Sequence, residues 1–192
     1  MRHTATRDVS LFDRFARLYE LGMPAADADR LEAGLAFGTG PFERVLDVGG
    51  GTGRAARALG DATVIDAAQG MLTEARASGL DAVQGDAGRL PVRTGSVDAV
   101  IIVDALHHFP DAAAAIEDAA RVLRAGGVLV VREFDPGTWR GRGLVRMEHL
   151  VGFDSTFYTA DDLAGLMADA GLVTFHPERG FAYTVAGVKR GD

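Results

Sequence analysis

The chain has 192 residues, of which 47% are hydrophobic and 24% charged, and its formal net charge at pH 7 is −7. A chain of this length is expected to form one domain and to bury about 70% of the surface that its unfolded form exposes. It contains no cysteine, which excludes disulfides, thiolate metal sites and cysteine nucleophiles, and its acidic balance argues against a nucleic-acid partner.

The sequence gives no sign of a membrane span or of a signal peptide. The longest strongly apolar run, residues 100–103, lies between Asp98 and Asp104, whereas a spanning helix needs about 20 apolar residues. The amino-terminal residues lack an apolar signal core. These features predict a cytoplasmic protein. Lys189 is the only lysine, which argues against Schiff-base chemistry.

Two helices are predicted before the first strand. Ser10 and Asp13 have the spacing of a capping box at the start of the first helix, which ends near Gly22. The second helix is predicted over residues 25–37. We expect residues 1–40 to form an amino-terminal cap over the binding pocket.

Strands and helices alternate through the rest of the chain. Strands are predicted at 44–48, 62–66, 81–84, 97–103, 128–133, 173–176 and 181–188, and helices at 54–59, 69–77, 110–124 and 159–170. This alternation predicts an open, mostly parallel α/β sheet. Residues 41–192 are predicted as the main domain, with 136–158 an irregular segment that serves as a substrate lid.

The first strand ends in a glycine-rich turn that bears an acid. Asp47, Gly49, Gly51 and Gly53 follow an Asp-x-Gly-x-Gly-x-Gly pattern, and Asp66 ends the next strand. The dinucleotide fingerprint requires a sixth-position glycine, which is absent, and no phosphate-loop lysine follows. Ligands of open α/β sheets bind at this edge, and an acid there accepts hydrogen bonds from ribose hydroxyls.

Several segments, in order, resemble class I S-adenosylmethionine-dependent methyltransferases with a type 11 methyltransferase domain. Residues 45–56 resemble the first motif of that family, and the resemblance continues through 63–72, 85–91, 96–100, 106–109 and 121–127. Residues 11–19 and 121–134 resemble the menaquinone and ubiquinone C-methyltransferases in particular. The sequence departs from that pattern after Tyr19 and at Ala125, where those enzymes have proline.

The resemblance implies the fold, the cofactor and the reaction. The expected fold is a Rossmann-like open sheet of strand order 3-2-1-4-5-7-6, mostly parallel with an antiparallel last strand and with helices on both faces. The implied cofactor is S-adenosyl-L-methionine, with S-adenosyl-L-homocysteine as product. The implied reaction is methyl transfer to a small molecule, with a quinone or phenolic ring among the candidate acceptors.

The resemblance also implies cofactor contacts. Asp66 is expected at the ribose, Met71 against the adenine and Asp86 at the adenine amine, although Met71 in the core and Asp86 as a turn cap remain alternatives. The implied cofactor-binding residues are Asp47, Gly49, Gly51, Gly53, Asp66, Ala67, Met71, Asp86, Ala87 and Asp104.

His107 and His108 follow the fourth strand and are the candidate catalytic bases, because the pKa of histidine lies near neutrality. A structural role in the turn is the alternative for each. Tyr19, His149 and Tyr158 are the candidate substrate-binding residues, with core packing as their alternative. No metal site is predicted.

Two other functions stay open at this point. One is a nicotinamide-dependent oxidoreductase on a similar sheet, and the other is a cofactor-binding regulatory protein without transferase activity. The expected partner is a small-molecule acceptor and not a nucleic acid, and a quinone acceptor would bring the protein into peripheral contact with a membrane. The sequence specifies neither the methylated atom nor the oligomeric state.

Overall fold

The computed structural model describes Val9 and residues 27–60 and 62–191. Six α-helices are described: α1 (Ala28–Leu35), α2 (Arg54–Leu59), α3 (Gln69–Ala77), α4 (Ala112–Val122), α5 (Trp139–Val151) and α6 (Ala160–Asp169). Seven strands are described: β1 (Val45–Val48), β2 (Thr63–Asp66), β3 (Ala82–Gln84), β4 (Val97–Val103), β5 (Leu123–Phe134), β6 (Leu172–Glu178) and β7 (Ala182–Lys189). A 3₁₀ turn, Leu106–His108, follows β4.

The seven strands form one sheet of order β3-β2-β1-β4-β5-β7-β6. Neighbouring strands pair in parallel through the run β3-β2-β1-β4-β5, while β7 runs antiparallel to both β5 and β6. The predicted fold class and strand order are therefore confirmed. The order reverses between β1 and β4, and this reversal leaves a crevice at the carboxyl edge of the sheet.

Helices cover both faces of the sheet because its central strand is buried on both sides. Alternate side chains of β4 enter different core clusters: Ile102 packs with α4 and α6, whereas Ile101 packs with α1, α2 and α3. Both isoleucines are 0% exposed. A continuous apolar run is what a central parallel strand requires, and the two clusters hold the crevice between rigid layers.

The boundary between α4 and β5 differs from the prediction of a helix to residue 124 and a strand from 128. The helix ends at Val122, and β5 begins at Leu123. Lys189 Nζ donates to the carbonyl oxygens of Ala120 and Leu123, each at 2.8 Å, and so satisfies groups at the helix end. The sole lysine thus has a structural partner that sequence spacing could not reveal.

The segment 136–158 was predicted to be irregular, but the structure shows that it contains the helix α5. The Thr138 side chain caps the helix by accepting from the Gly141 amide at 3.0 Å. A Cβ at Gly141 would lie 1.8 Å from the Asp135 carbonyl oxygen, so this glycine permits close packing and does not break the helix. Glycine content misled the prediction, since helix capping and packing outweighed the low helix propensity of glycine.

The amino-terminal cap stays a prediction. Its first helix, at Ser10 and beyond, lies outside the described residues, as does Tyr19. The second helix is present as α1, which begins after Asp27, whose side chain accepts from the Arg30 amide. Among the described residues, no helix is long and apolar enough to cross a bilayer.

Candidate active site

A cavity of about 410 Å³ opens at the carboxyl ends of β1, β2, β3 and β4. Its size is typical of small-molecule sites. Ten of the residues singled out in the sequence line it: Asp47, Gly49, Gly51, Asp66, Ala67, Met71, Asp86, Ala87, Asp104 and His108. The structure therefore brings together side chains that are up to 61 positions apart in the chain (Asp47 to His108).

Asp47 lies under the glycine-rich turn with one carboxylate oxygen free of protein partners. Its Oδ2 accepts from the Ala56 amide at 3.0 Å, whereas its buried Oδ1 has no hydrogen-bond partner. Burial raises the pKa of Asp47 to about 7, the Ala56 amide opposes that rise, and the charge of Asp66 adds to it. An unsatisfied buried acceptor at a cavity is costly, so Oδ1 is suited to a ligand that donates a hydrogen bond.

The glycines of this turn have different reasons for being glycine. A Cβ at Gly50 would lie 2.5 Å from Asp47 Cγ, so this residue lets the turn wrap around the carboxylate. Gly53 has φ +81°, and a Cβ there would lie 2.2 Å from Leu80 Cδ1. Gly53 does not line the cavity, in contrast to the contact implied by the resemblance, and its observed contacts are with the core beneath α2.

Asp66 is held rigidly at the end of β2. Its Oδ2 accepts from the Gly51 amide at 2.9 Å, and its Oδ1 accepts from the Ala68 amide at 2.8 Å. Asp66 also lines the cavity, and an oxygen of a carboxylate can accept more than one hydrogen bond. The side chain is therefore fixed in place at the cavity wall.

Asp86 belongs both to the cavity and to its own turn. Its Oδ1 accepts from the Gly88 amide at 2.9 Å, which matches the turn-cap alternative, and the residue also lines the cavity. Met71 likewise serves two roles, because it is 3% exposed, packs with Ala68 and Val9, and forms part of the cavity wall.

Asp104, at the end of β4, has a strained backbone and two basic neighbours. Its φ of +52° is unusual for a residue other than glycine. Arg132 Nη1 lies 3.3 Å and Arg54 Nη2 3.8 Å from its carboxylate. Burial and the charge of Glu133 raise the pKa of Asp104, and the two arginines oppose the rise.

His107 lies in the core and does not line the cavity. Its Nδ1 is 2.7 Å from Glu133 Oε2, and its Nε2 is 3.5 Å from Glu148 Oε1. Burial disfavours the imidazolium, yet the two carboxylates raise the pKa of His107 to about 10. An imidazolium has no lone pair with which to accept a proton, so this geometry does not favour His107 as a base.

His108 lines the cavity and is in the opposite protonation state. Burial and the positive charge of His107 lower its pKa to about 4, so the ring is neutral at pH 7. Its Nδ1 lies 3.3 Å from Ser155 Oγ. The Ser155 hydroxyl donates its single proton to Glu148, so the serine oxygen accepts from the Nδ1–H group of His108. His108 is therefore a neutral imidazole at the cavity wall, oriented by a serine.

The other candidate substrate residues lie away from the cavity. His149 is exposed on α5, with Nε2 3.3 Å from the Ser155 carbonyl oxygen. Tyr158 packs against the core, and its carbonyl accepts from the Tyr183 hydroxyl at 2.8 Å. In the structure, His149 therefore contacts the backbone, and Tyr158 packs against the core.

Only one group of described residues has the spacing of a metal site. The ligand atoms of His107, His108 and Glu148 lie within 4.8 Å of one another. A metal ion there would have to displace the proton that Glu133 and Glu148 stabilise on His107. The imidazolium already supplies the positive charge between these carboxylates.

Sequence reasoning missed several residues around His108. Glu133 is the last residue of the strand predicted at 128–133, and Arg54 occupies the sixth position where the dinucleotide fingerprint requires glycine, but sequence reasoning assigned neither of them a role in the site. Glu148 and Ser155 fall in the segment that was predicted to be irregular, so their partnership with His107 and His108 had no signal in the local sequence.

Fold and site together define an α/β protein of the Rossmann-like class with a cavity of ligand size at the carboxyl edge of its sheet. Comparison with known proteins then identifies the family. Residues 46–131 match the family described as "Methyltransferase domain". The chain is 37% identical over 151 residues to a demethylmenaquinone methyltransferase of Mycobacterium sp. strain KMS, a match that covers 74% of this chain and 66%, just under two thirds, of that relative.

Two further comparisons agree. A demethylmenaquinone methyltransferase of Parafrankia sp. strain EAN1pec is 31% identical over 173 residues, covering 74% of this chain and 68% of the relative. An O-methyltransferase from neocarzinostatin biosynthesis, solved with S-adenosyl-L-homocysteine and 1,4-dihydroxy-2-naphthoic acid, superposes with a TM-score of 0.68 at 25% identity, covering 96% of this chain and 58% of that one.

The chain belongs to the class I S-adenosylmethionine-dependent methyltransferases, a family that uses S-adenosylmethionine as its cofactor. This membership confirms the predicted family and cofactor. It favours the methyltransferase interpretation over the nicotinamide-dependent oxidoreductase and over a regulatory protein without transferase activity.

Proposed function

We propose that this protein transfers the methyl group of S-adenosylmethionine to a hydroxylated bicyclic aromatic ring of the reduced-naphthoquinone class. The observation that carries the proposal is the place of His108 in the cavity wall, in the turn that follows β4. The strand order β3-β2-β1-β4 sets the loops after these strands side by side, so the acids after β3 and β2 stand at one end of the cavity and His108 at the other.

The cofactor would fit the part of the cavity formed by the loops after β3, β2 and β1. Asp66 would accept from the ribose hydroxyls, Asp86 and Met71 would flank the adenine, and Asp47 Oδ1 would accept from the methionine amine. The partnerless Oδ1 and the turn that Gly50 keeps narrow support this fit. When bound, S-adenosylmethionine supplies a methyl group activated by its sulfonium.

The acceptor would lie between His108 and an apolar wall formed by Val103, Ala105 and Phe109. Such a wall suits an aromatic ring and excludes water from the transfer. The names of the relatives support the ring class, since one group acts on demethylmenaquinone and the other was solved with a dihydroxynaphthoic acid.

His108 would act on a ring hydroxyl. Its lone pair would accept the hydroxyl proton as the ring carbon bonds to the methyl group and the methyl–sulfur bond of the cofactor breaks. The methylated carbon would then lose its hydrogen as a proton to restore the aromatic ring, and the ring oxygen would regain a proton from the imidazolium. The net products are the methylated ring, S-adenosylhomocysteine and one proton. Ser155 orients the ring of His108, and the Glu148 carboxylate behind the serine stabilises the charge that His108 gains.

The test has a binding part and a turnover part. S-adenosylhomocysteine at about 100 times its dissociation constant should add about 2.7 kcal/mol of stability, which is roughly 5–11 °C in Tm for a chain of this size, while NADH and NADPH should give no shift. Incubation with a reduced demethylmenaquinone analogue and isotope-labelled S-adenosylmethionine should then yield a labelled C-methyl product by mass spectrometry.

The two parts fail separately. A Tm shift with a nicotinamide alone would overturn the cofactor assignment. Binding of S-adenosylhomocysteine without methylation of any dihydroxynaphthalene would overturn the acceptor class while leaving the cofactor site intact. A 1,4-dimethoxynaphthalene, which has the ring but no hydroxyl proton, is the matched control acceptor and should not react.

A further inference from the structure

The outer face of α5 is apolar. Trp139, Met147, Leu150 and Val151 are 77%, 55%, 87% and 64% exposed. At 100° per residue, Trp139, Met147, Leu150 and Val151 fall within an arc of about 120°. Four large apolar side chains thus form one stripe, which we call the α5 stripe.

The inner face of the same helix carries Glu148, which accepts from Ser155, the buried Gly141, and the half-buried Leu144 and Val145. A helix on the surface of a water-soluble domain normally buries its largest apolar side chains, whereas the largest apolar side chains of α5 face outward. The α5 stripe is therefore not explained by packing within the described part of the chain.

Positive charge accompanies the stripe. Arg140, Arg142 and Arg146 are exposed on α5, and the helix has a single acid, Glu148, whose side chain faces inward. Arg140 is held beside the stripe by stacking on the Phe181 ring at 4.5 Å. The outer surface of α5 is thus locally cationic on a chain whose net charge is −7.

We infer that the α5 stripe docks on an anionic lipid surface. Aromatic and aliphatic side chains enter the boundary between headgroups and acyl chains, and arginines beside them bind lipid phosphates. A second copy of this chain is a poorer occupant, because a twofold contact through α5 would set the arginines of both copies against one another.

Docking through α5 would also orient the cavity. The inner face of this helix contacts Ser155, which bonds to His108, so the acceptor end of the cavity would lie close to the bilayer. That consequence rests on the proposed function. The docking itself does not, since it is measured without cofactor or acceptor.

The chain supplies its own probe, because Trp139 is its only tryptophan. With vesicles of phosphatidylcholine and phosphatidylglycerol, its emission should shift to shorter wavelength and the protein should sediment with the vesicles. Vesicles of phosphatidylcholine alone should bind it far less, and added salt should weaken binding to the anionic vesicles. Bromine atoms on the acyl chains should quench the tryptophan.

Variants separate the two sources of affinity. Leu150→Glu should abolish binding, because it places a charge in the centre of the stripe. Arg142→Gln and Arg146→Gln should each weaken binding about fivefold, the loss of one cation near an anionic surface. Val83→Glu is the matched control, since Val83 is an exposed apolar residue on β3, and it should bind as well as the wild type. An unchanged Tm shift with S-adenosylhomocysteine verifies that each variant is folded.

Three outcomes would overturn the inference. One is an unshifted Trp139 emission with anionic vesicles. Another is equal binding by Leu150→Glu and the wild type. The third is a concentration-dependent dimer that Leu150→Glu disrupts while the wild type ignores lipid, which would assign the stripe to self-association.

Discussion

His107 and Glu133 form a buried ion pair next to the cavity, with 2.7 Å between Nδ1 and Oε2 and 3% exposure of each side chain. The positive charge that this pair holds is one reason that the neighbouring ring of His108 stays neutral. Adjacent histidines in one turn thus have pKa values displaced in opposite directions, as is typical where a protein divides structural and chemical roles between neighbours.

Because of this ion pair, the free energy of unfolding is expected to decrease as the pH becomes alkaline. The pKa of His107 is raised from 6.5 to about 10 in the folded protein, so its contribution is complete below pH 6.5 and is lost as pH rises towards 10. We expect the free energy of unfolding to fall between pH 7 and pH 10. Urea denaturation at a series of pH values measures this loss.

Glu133→Gln should lower the free energy of unfolding by about 3 kcal/mol at neutral pH, because it leaves a buried charge with one carboxylate fewer. The pH dependence above 7 should also become shallower, since Glu148 alone holds the proton of His107 less firmly. A variant as stable as the wild type, with an equally steep pH dependence, would contradict the assigned role of the pair.

His108→Gln should reduce kcat by about 10²–10⁴-fold, the usual contribution of a general base, and leave the affinity for S-adenosylhomocysteine unchanged. Calorimetry measures the affinity, and single-turnover methylation of the true acceptor measures the rate. His176→Gln is the control, since His176 lies on β6, at the opposite edge of the sheet from β3. Equal rates for His108→Gln and the wild type would remove His108 from the mechanism.

Asp66→Ala should weaken binding of S-adenosylhomocysteine by ~1–3 kcal/mol, because the ribose hydroxyls would be buried without an acceptor. Asp81→Ala removes an exposed acid just before β3 and should leave the affinity as it is. If both variants bind equally well by calorimetry, Asp66 does not contact the ribose.

Two glycine-to-alanine changes should differ in outcome: Gly50→Ala should weaken ligand binding, and Gly143→Ala should raise the free energy of unfolding. Gly50→Ala would place Cβ 2.5 Å from Asp47 Cγ, so it should displace that carboxylate and weaken S-adenosylhomocysteine binding at least about tenfold. Gly143→Ala adds a methyl group where nothing lies within 4 Å, in the middle of α5, and should raise stability by about 0.4–1 kcal/mol. Calorimetry measures the affinity, and urea denaturation measures the free energy of unfolding. Unchanged affinity in Gly50→Ala would contradict the packing described around the turn, and a lower free energy of unfolding in Gly143→Ala would contradict the open space described at that position.

Local sequence patterns predicted the positions of most strands and the presence of a ligand-binding turn after β1. The apolar run of β4 predicted a strand buried on both faces, and the spacing of Asp47, the glycines and Asp66 predicted a ligand-binding turn, because the loops at the ends of parallel strands must meet at one edge. The same local reasoning left α5 out, since propensity alone does not register close packing, and the contact expected for Gly53 came from the family resemblance instead.

The sequence by itself determined the class of fold, which follows from the alternation of strands and helices, and its resemblance to a known family implied the cofactor. Only the tertiary structure decided what His107 and His108 are, because their protonation depends on Glu133 and Glu148, which are 26 and 41 positions away from His107 and become neighbours only after folding. A pKa is set by burial and by charges in space, and neither quantity is written in the order of the residues.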